Sequence, residues 1–360
     1  MIYLKNAIYV DSVSLVFTRC HIRVEEGING GIEMLDSIDG MPGPGDQVMD
    51  CKGKYVLKSF VNAHHHIYST LARGMPAPPK TPVNFQDILT HIWWRLDKQL
   101  SLEMIEASAL YTAIESIRNG VSFIIDHHAS PFALEGSLDR IGHALEKAGL
   151  SHLLCYEVSD RDGEAIAEAG LDETDRYLAK QQGLVGLHAS FTIGQRTLTQ
   201  AVHLARKHQS GIHVHCAEDR IDQAHCIENH NMRVIERFES QGVLALTKSI
   251  LAHGIHIDTN ERQLLKRSDL HLVQNPESNM NNGVGTFTST GLNESNPVLF
   301  GTDGMHSDVL RSMKTAFFMS QLHEGSDMES AYRRLRQSHH YLRRSGFSGD
   351  GENNLIVRDY

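Results

Sequence analysis

YVLKSFVNAHHHIYST, residues 55–70, is a strand-length apolar run that closes on three consecutive histidines and passes into a longer segment. The unit recurs. Counting YVLKSFVNA as the first, eight such runs follow one another: VSFIIDHH (121–128), SHLLCYEV (151–158), GLVGLHA (183–189), GIHVHCA (211–217), SILAHGI (249–255), LHLVQN (270–275) and NPVLFGTD (296–303). Helical periodicity fills several of the gaps, over 101–119, 134–148, 197–208, 231–244 and 308–322. Short apolar strands alternating with helices imply parallel pairing, and eight repeats over nearly 300 residues predict an α/β fold of the (β/α)8 barrel type. No glycine-rich phosphate loop follows any run, which argues against a nucleotide-binding open sheet. Ahead of the barrel, residues 1–55 read as short strands separated by the turn signals EEGINGG (25–31) and MPGPGD (41–46), a small sandwich-like β domain. The barrel is assigned to 56–352.

Composition narrows the function classes. With 41% hydrophobic and 22% charged residues in 360, the chain reads as globular, and no window approaches the roughly 18 apolar residues of a membrane span. A net charge of −10 without basic blocks makes nucleic acid a poor partner. Five cysteines without a CxxC pair argue against a disulfide framework, and MIYLKNAIYV carries neither a basic leader nor a cleavage site, so a cytoplasmic protein is expected. A small molecule is the expected partner, with room for a homo-oligomer.

Histidine is the unusual component, at 23 residues. Residues i and i+2 of a strand share a face, so His64 and His66 point together toward the barrel mouth and His65 points away. His188, His215 and His253 stand at the ends of the fourth, fifth and sixth runs, Glu218 lies three residues past His215, and Asp303 ends the eighth. Barrel enzymes collect their chemistry at these ends. Chance supplies one or two such placements; five predict a metal-centred site. Imidazoles and carboxylates gathered in this way suit a divalent ion, Zn²⁺ first and Fe²⁺ as the alternative. His213 lies one layer deeper than His215, and one of His127 and His128 is expected to face the pocket. Trp94 is a candidate clamp for a planar ring, against a plain core role, and Asn279 in SNMNNGVG (278–285) is a candidate substrate contact. The proline-rich RGMPAPPKTPVNF (73–85) reads as a semi-rigid lid.

These residues, with IWWRLDK (92–98), IDHHASP (125–131) and SNMNN (278–282), resemble the amidohydrolase superfamily in its deaminase and chlorohydrolase branch, most nearly the SsnA-type aminohydrolases. The resemblance implies His64, His66, His215 and Asp303 as metal ligands, Glu218 as the acid–base residue of an HxxE motif, and His253 beside the attacking water. It implies deamination of an aminated heterocycle of the purine, pyrimidine, pterin or triazine class, with Glu218, His253 and Asp303 catalytic and His188 at the substrate. Two-metal relatives carry a lysine on the fourth strand, and QQGLVGLHASFTIG (181–194) has none, which implies one metal. A cyclic amidase of the same fold and a metal-binding barrel without turnover are the alternatives. Two departures stand out. Lys58 and Ser59 replace the usual Pro-Gly, and of the C-terminal strands that complete the family's β layer, NNLIVRDY (353–360) resembles the first, implying either a shortened chain or an abbreviated layer.

Overall fold

The computed structural model describes residues 1–27, 30–292, 296–349, 351 and 353–359. In the N-terminal region β1 (Ile2–Val10), β2 (Phe17–Val24), β3 (Ile32–Leu35), β4 (Gln47–Asp50) and β5 (Lys54–Lys58) form one sheet. Each of the eight expected runs contains a strand: β6 (Phe60–His65), β7 (Val121–His128), β8 (Ser151–Tyr156), β9 (Val185–Ala189), β10 (Ile212–Cys216), β11 (Ile250–His253), β12 (His271–Gln274) and β13 (Val298–Phe300). β6, β7 and β8 make one parallel sheet and β9 to β13 another. Parallel bridges join the seams, Leu154 to Gly183 and Val158 to Leu187 at one, His65 to Asp303 at the other. Every residue of β6 and of β9 to β13 is buried. That explains runs of apolar residues rather than alternation: parallel strands are covered on both faces.

The helices follow local chemistry. Ser101 caps the helix Leu102–Arg118 by accepting from the Met104 N–H at 3.3 Å, and Ile105, Ala109 and Ala113 form its buried stripe. The helix expected over 231–244 is shorter, Val234–Ser240, because Asn231 is left-handed at φ 53° and ends a preceding helix, Arg220–His230. No helix among the described residues is long and apolar enough to cross a membrane.

Two expectations change. The run YVLKSFVNA is not one strand: it divides at Ser59, with β5 in the N-terminal sheet and β6 in the parallel sheet with β7 and β8. Ser59 is pinned there from three directions. Its N–H donates to the Asn354 carbonyl (2.8 Å), its hydroxyl meets Ser122 Oγ (2.6 Å), and its carbonyl accepts from Arg336 (2.7 Å) and His339 (3.1 Å). The N-terminal layer is also one six-stranded sheet among the described residues, not a sandwich. β4 and β5 pair in turn along β1, at Ile2–Lys5 and Ile8–Tyr9, on either side of a bulge where Asn6 has φ 59°. Its last strand, β14 (Leu355–Asp359), pairs antiparallel with β5. Tyr360 lies outside the described residues.

Candidate metal centre

The inward faces of the strands are apolar at depth and titratable at their C-terminal ends. Phe123, Ile125 and His127 share one face of β7, and His213 and His215 one face of β10. His64, His66, His215 and Asp303 converge, one ligand atom of each lying within 4.8 Å of the others, all buried. His66 Nε2 stands 3.1 Å from His215 Nε2 and 3.1 Å from Asp303 Oδ1, and His64 Nε2 is 3.6 Å from the same oxygen.

The ring hydrogens decide what these nitrogens offer. His66 spends its Nδ1–H on the His127 carbonyl (2.7 Å) and His215 its own on the His188 carbonyl (2.7 Å). The two Nε2 atoms therefore face each other, and once His66 gives up the proton that its carboxylate neighbours favour, both offer lone pairs that a cation satisfies and a hydrogen bond between neutral rings does not. Behind His64 the donors can run in one direction: His64 Nδ1–H to His213 Nε2 (2.9 Å), His213 Nδ1–H to Cys155 Sγ (3.7 Å), and the thiol to the Asp126 carbonyl (3.3 Å). Burial keeps His213 neutral and Cys155 protonated, so His64 Nε2, which has no hydrogen-bond partner, presents a third lone pair. Burial would raise the Asp303 carboxyl, but His64 and His66 hold it well below its ordinary value. Burial would likewise lower His66, yet Asp303, Glu157 and Asp126 push it up to about 9, a field suited to a cation. The residues fit one divalent ion. His65, as expected, points away, its Nδ1–H reaching the Asp303 carbonyl at 2.5 Å.

Glu218 and His253 stand beside this cluster, with His253 Nε2 3.4 Å from Glu218 Oε2 and 3.9 Å from Asp303 Oδ2. Burial, then the charge of Asp303, pushes the Glu218 carboxyl well above its ordinary value. His253 (φ 74°) and Asp303 (φ 51°) both hold left-handed backbone, which costs about 1–3 kcal/mol at residues other than glycine and clusters at functional positions. Asn279 corrects an expectation: its Oδ1 accepts the His253 Nδ1–H at 2.8 Å, so it orients His253 from behind instead of meeting substrate. From the same helix, Pro276–Asn281, and its cap, Ser278 and Asn282 line the cavity, and Ser278 Oγ donates to Asp303 Oδ2 at 2.5 Å.

That cavity encloses about 580 Å³ above the cluster, lined by His66, Glu218 and Asp303, by the expected His188 and Trp94, and by Phe85, Trp93 and Glu157. The Trp94 ring meets His188 edge-on at 5.9 Å. Glu157 was not foreseen, although Leu153, Cys155 and Glu157 follow the period of two that marks a shared face. Of the paired histidines, His127 turns inward, facing Glu157 Oε2 through Nδ1 (3.0 Å) and the His213 carbonyl through Nε2 (3.0 Å), whereas His128 bonds Ser130.

The 5'-deoxyadenosine deaminase of Methanobrevibacter smithii is 28% identical over 77% of this chain and 64% of its own length. The 5-methylthioadenosine/S-adenosylhomocysteine deaminase of Syntrophomonas wolfei is 25% identical over the same shares. The chain thus spans a little under two thirds of these relatives. In fold, an adenosine deaminase from Xanthomonas campestris solved with bound zinc superposes with a TM-score of 0.81 at 17% identity, covering 99% of this chain and 84% of that one. Residues 55–336 match the amidohydrolase family, and the chain belongs to it.

Proposed function

We propose that the protein is a metal-dependent aminohydrolase that releases ammonia from an aminated heterocycle, holding one divalent ion, zinc by preference over iron, on His64, His66, His215 and Asp303. The observation that carries this is the convergence of three buried imidazole lone pairs on one carboxylate with Glu218 and His253 alongside, surplus to a purely structural ion. A second buried group, His66, His127, Glu157 and His215, does not call for another ion, because both His127 nitrogens are already engaged. We read the two parallel sheets as arcs of one eight-stranded barrel over 56–352, joined at their bridged seams, with 1–55 and 353–360 as the accessory layer. Five unpaired cysteines support a cytoplasmic setting.

A bound ion supplies acidity to water, moving its pKa from about 15.7 toward about 7. The chain's residues do the rest. Asp303, ionised and steadied by Ser278, accepts the water's proton. His253, fixed by Asn279, orients the attacking oxygen. Glu218, its carboxyl pushed well above the ordinary value, gives a proton to the ring nitrogen beside the attacked carbon and recovers one from the attacking hydroxyl as the carbonyl forms, while the proton taken up by Asp303 goes to the departing amine. Purine, pyrimidine, pterin and triazine substrates all offer that carbon. The test is an ammonia-release screen of these rings with zinc-loaded protein, run beside Glu218→Gln. The variant should keep its zinc and lose about 10²–10⁴-fold in turnover. Ring opening without ammonia would move the reaction to the cyclic amidases, and activity within about threefold of the parent would remove Glu218 from the chemistry.

A further inference from the structure

The cavity wall carries three carboxylates, Glu157, Glu218 and Asp303, and neither lysine nor arginine among its described lining residues. Two of the three have their work assigned. Glu157 does not. Its side chain is 3% exposed; Oε2 takes the bond from His127 Nδ1, while Oε1 accepts no hydrogen bond from any described residue and stands 4.0 Å from His188 Nε2. The nearby guanidinium of Arg161 is paired with Asp97 through Nη2 and Asp162 through Nε and lies over the Trp94 ring at 5.1 Å; its Nη1 has no partner among the described residues and makes no hydrogen bond to Glu157. With Oε2 taken by His127, Oε1 is left as an acceptor on the cavity wall. A buried carboxylate oxygen with an open lone pair is costly until a donor reaches it. Between Oε1 and His188 Nε2, and beside the aromatic walls of Trp93, Trp94 and Phe85, the group that fits is an N–H on the edge of a flat ring.

We propose that Glu157 is a specificity-determining residue that accepts an N–H of the substrate ring, so that the site selects neutral or cationic heterocycles with a donor edge and rejects rings bearing an anionic group. The proposal rests on the aminohydrolase reading and narrows its substrate class.

The test uses two probes without a leaving amine: benzimidazole, which has a ring N–H, and 1-methylbenzimidazole, which has none. Calorimetric titration into zinc-loaded protein should give at least about tenfold tighter binding of the first. Glu157→Gln, which keeps an acceptor for His127 but loses the charge, should erase most of that preference while zinc content and melting temperature stay at parent values. A preference that survives in the variant, or none in the parent, overturns the proposal. If the variant loses zinc or unfolds, Glu157→Asp replaces it: the shorter carboxylate should keep the sign of the preference, and its reversal overturns the idea equally. Ammonia release separates the two readings, since deamination with a Glu157-independent preference leaves the function standing and this inference refuted, and a Glu157-dependent preference without ammonia does the opposite.

Discussion

Replacing Asn279 with alanine tests whether His253 works because it is held in one orientation. His253 is fully buried, and its Nδ1–H has the Asn279 oxygen at 2.8 Å as its partner. Alanine strands that buried N–H, at a cost of about 1–3 kcal/mol, which for a domain of this size lowers the melting temperature by a few degrees. The catalytic effect should be larger than the thermal one. Freed from Asn279, the ring can turn its proton toward Glu218 and Asp303, and loss of an orienting partner of this kind costs about 10–100-fold. The assay is steady-state ammonia release on the ring found by the screen, read with zinc content. We expect kcat to fall with zinc retained, and Asn279→Asp, which keeps an acceptor, to recover part of it. Activity within about threefold of the parent at an unchanged melting temperature would refute the reasoning and return Asn279 to an ordinary helical turn.

Elemental analysis should find about one zinc per chain, and His66→Ala should lose most of it; two ions in the parent would contradict the mononuclear centre. Because the surrounding carboxylates lift His66 to about 9, loading zinc near pH 7.5 should release on the order of one proton, measured from the buffer dependence of the binding heat, and no release would argue against His66 as a ligand. Arg237, 1% exposed, donates to the Ser190 carbonyl and hydroxyl and to the Ile193 carbonyl, holding the turn that follows His188. Arg237→Met should cost at least about 2 kcal/mol by urea unfolding and raise KM, and a stability loss under about 0.5 kcal/mol would show the turn to be self-supporting.

The strand order and the cluster of candidate ligands were legible because they depend on local periodicity: His64 and His66, like His213 and His215, declare a shared face within three residues. Glu157 obeys the same rule but ends a run without a histidine, and a single acidic residue after Tyr156 carries no motif. Asn279 and Asn282 differ only in helical phase, and deciding which one meets the cavity requires the axis of the short helix Pro276–Asn281, which no sequence pattern in a six-residue segment supplies. The division at Ser59 was hidden for another reason. Its bonds reach residues more than 275 positions away, and no window of sequence spans that distance.

Those distant bonds bear on how the chain is made. Ser59 sits five residues before His64, and its partners Gly351, Asn354, Arg336 and His339 are synthesised nearly 300 residues later. During translation the strand that carries two candidate ligands emerges early; Ser122 can meet its base 63 residues on, but its other moorings wait until almost all of this sequence has left the ribosome. Contacts of such separation are formed late and slowly, because the loop between them must be closed first. The base of this strand is thus fully locked late, and closure of the candidate site should follow, not nucleate, assembly of the surrounding repeats.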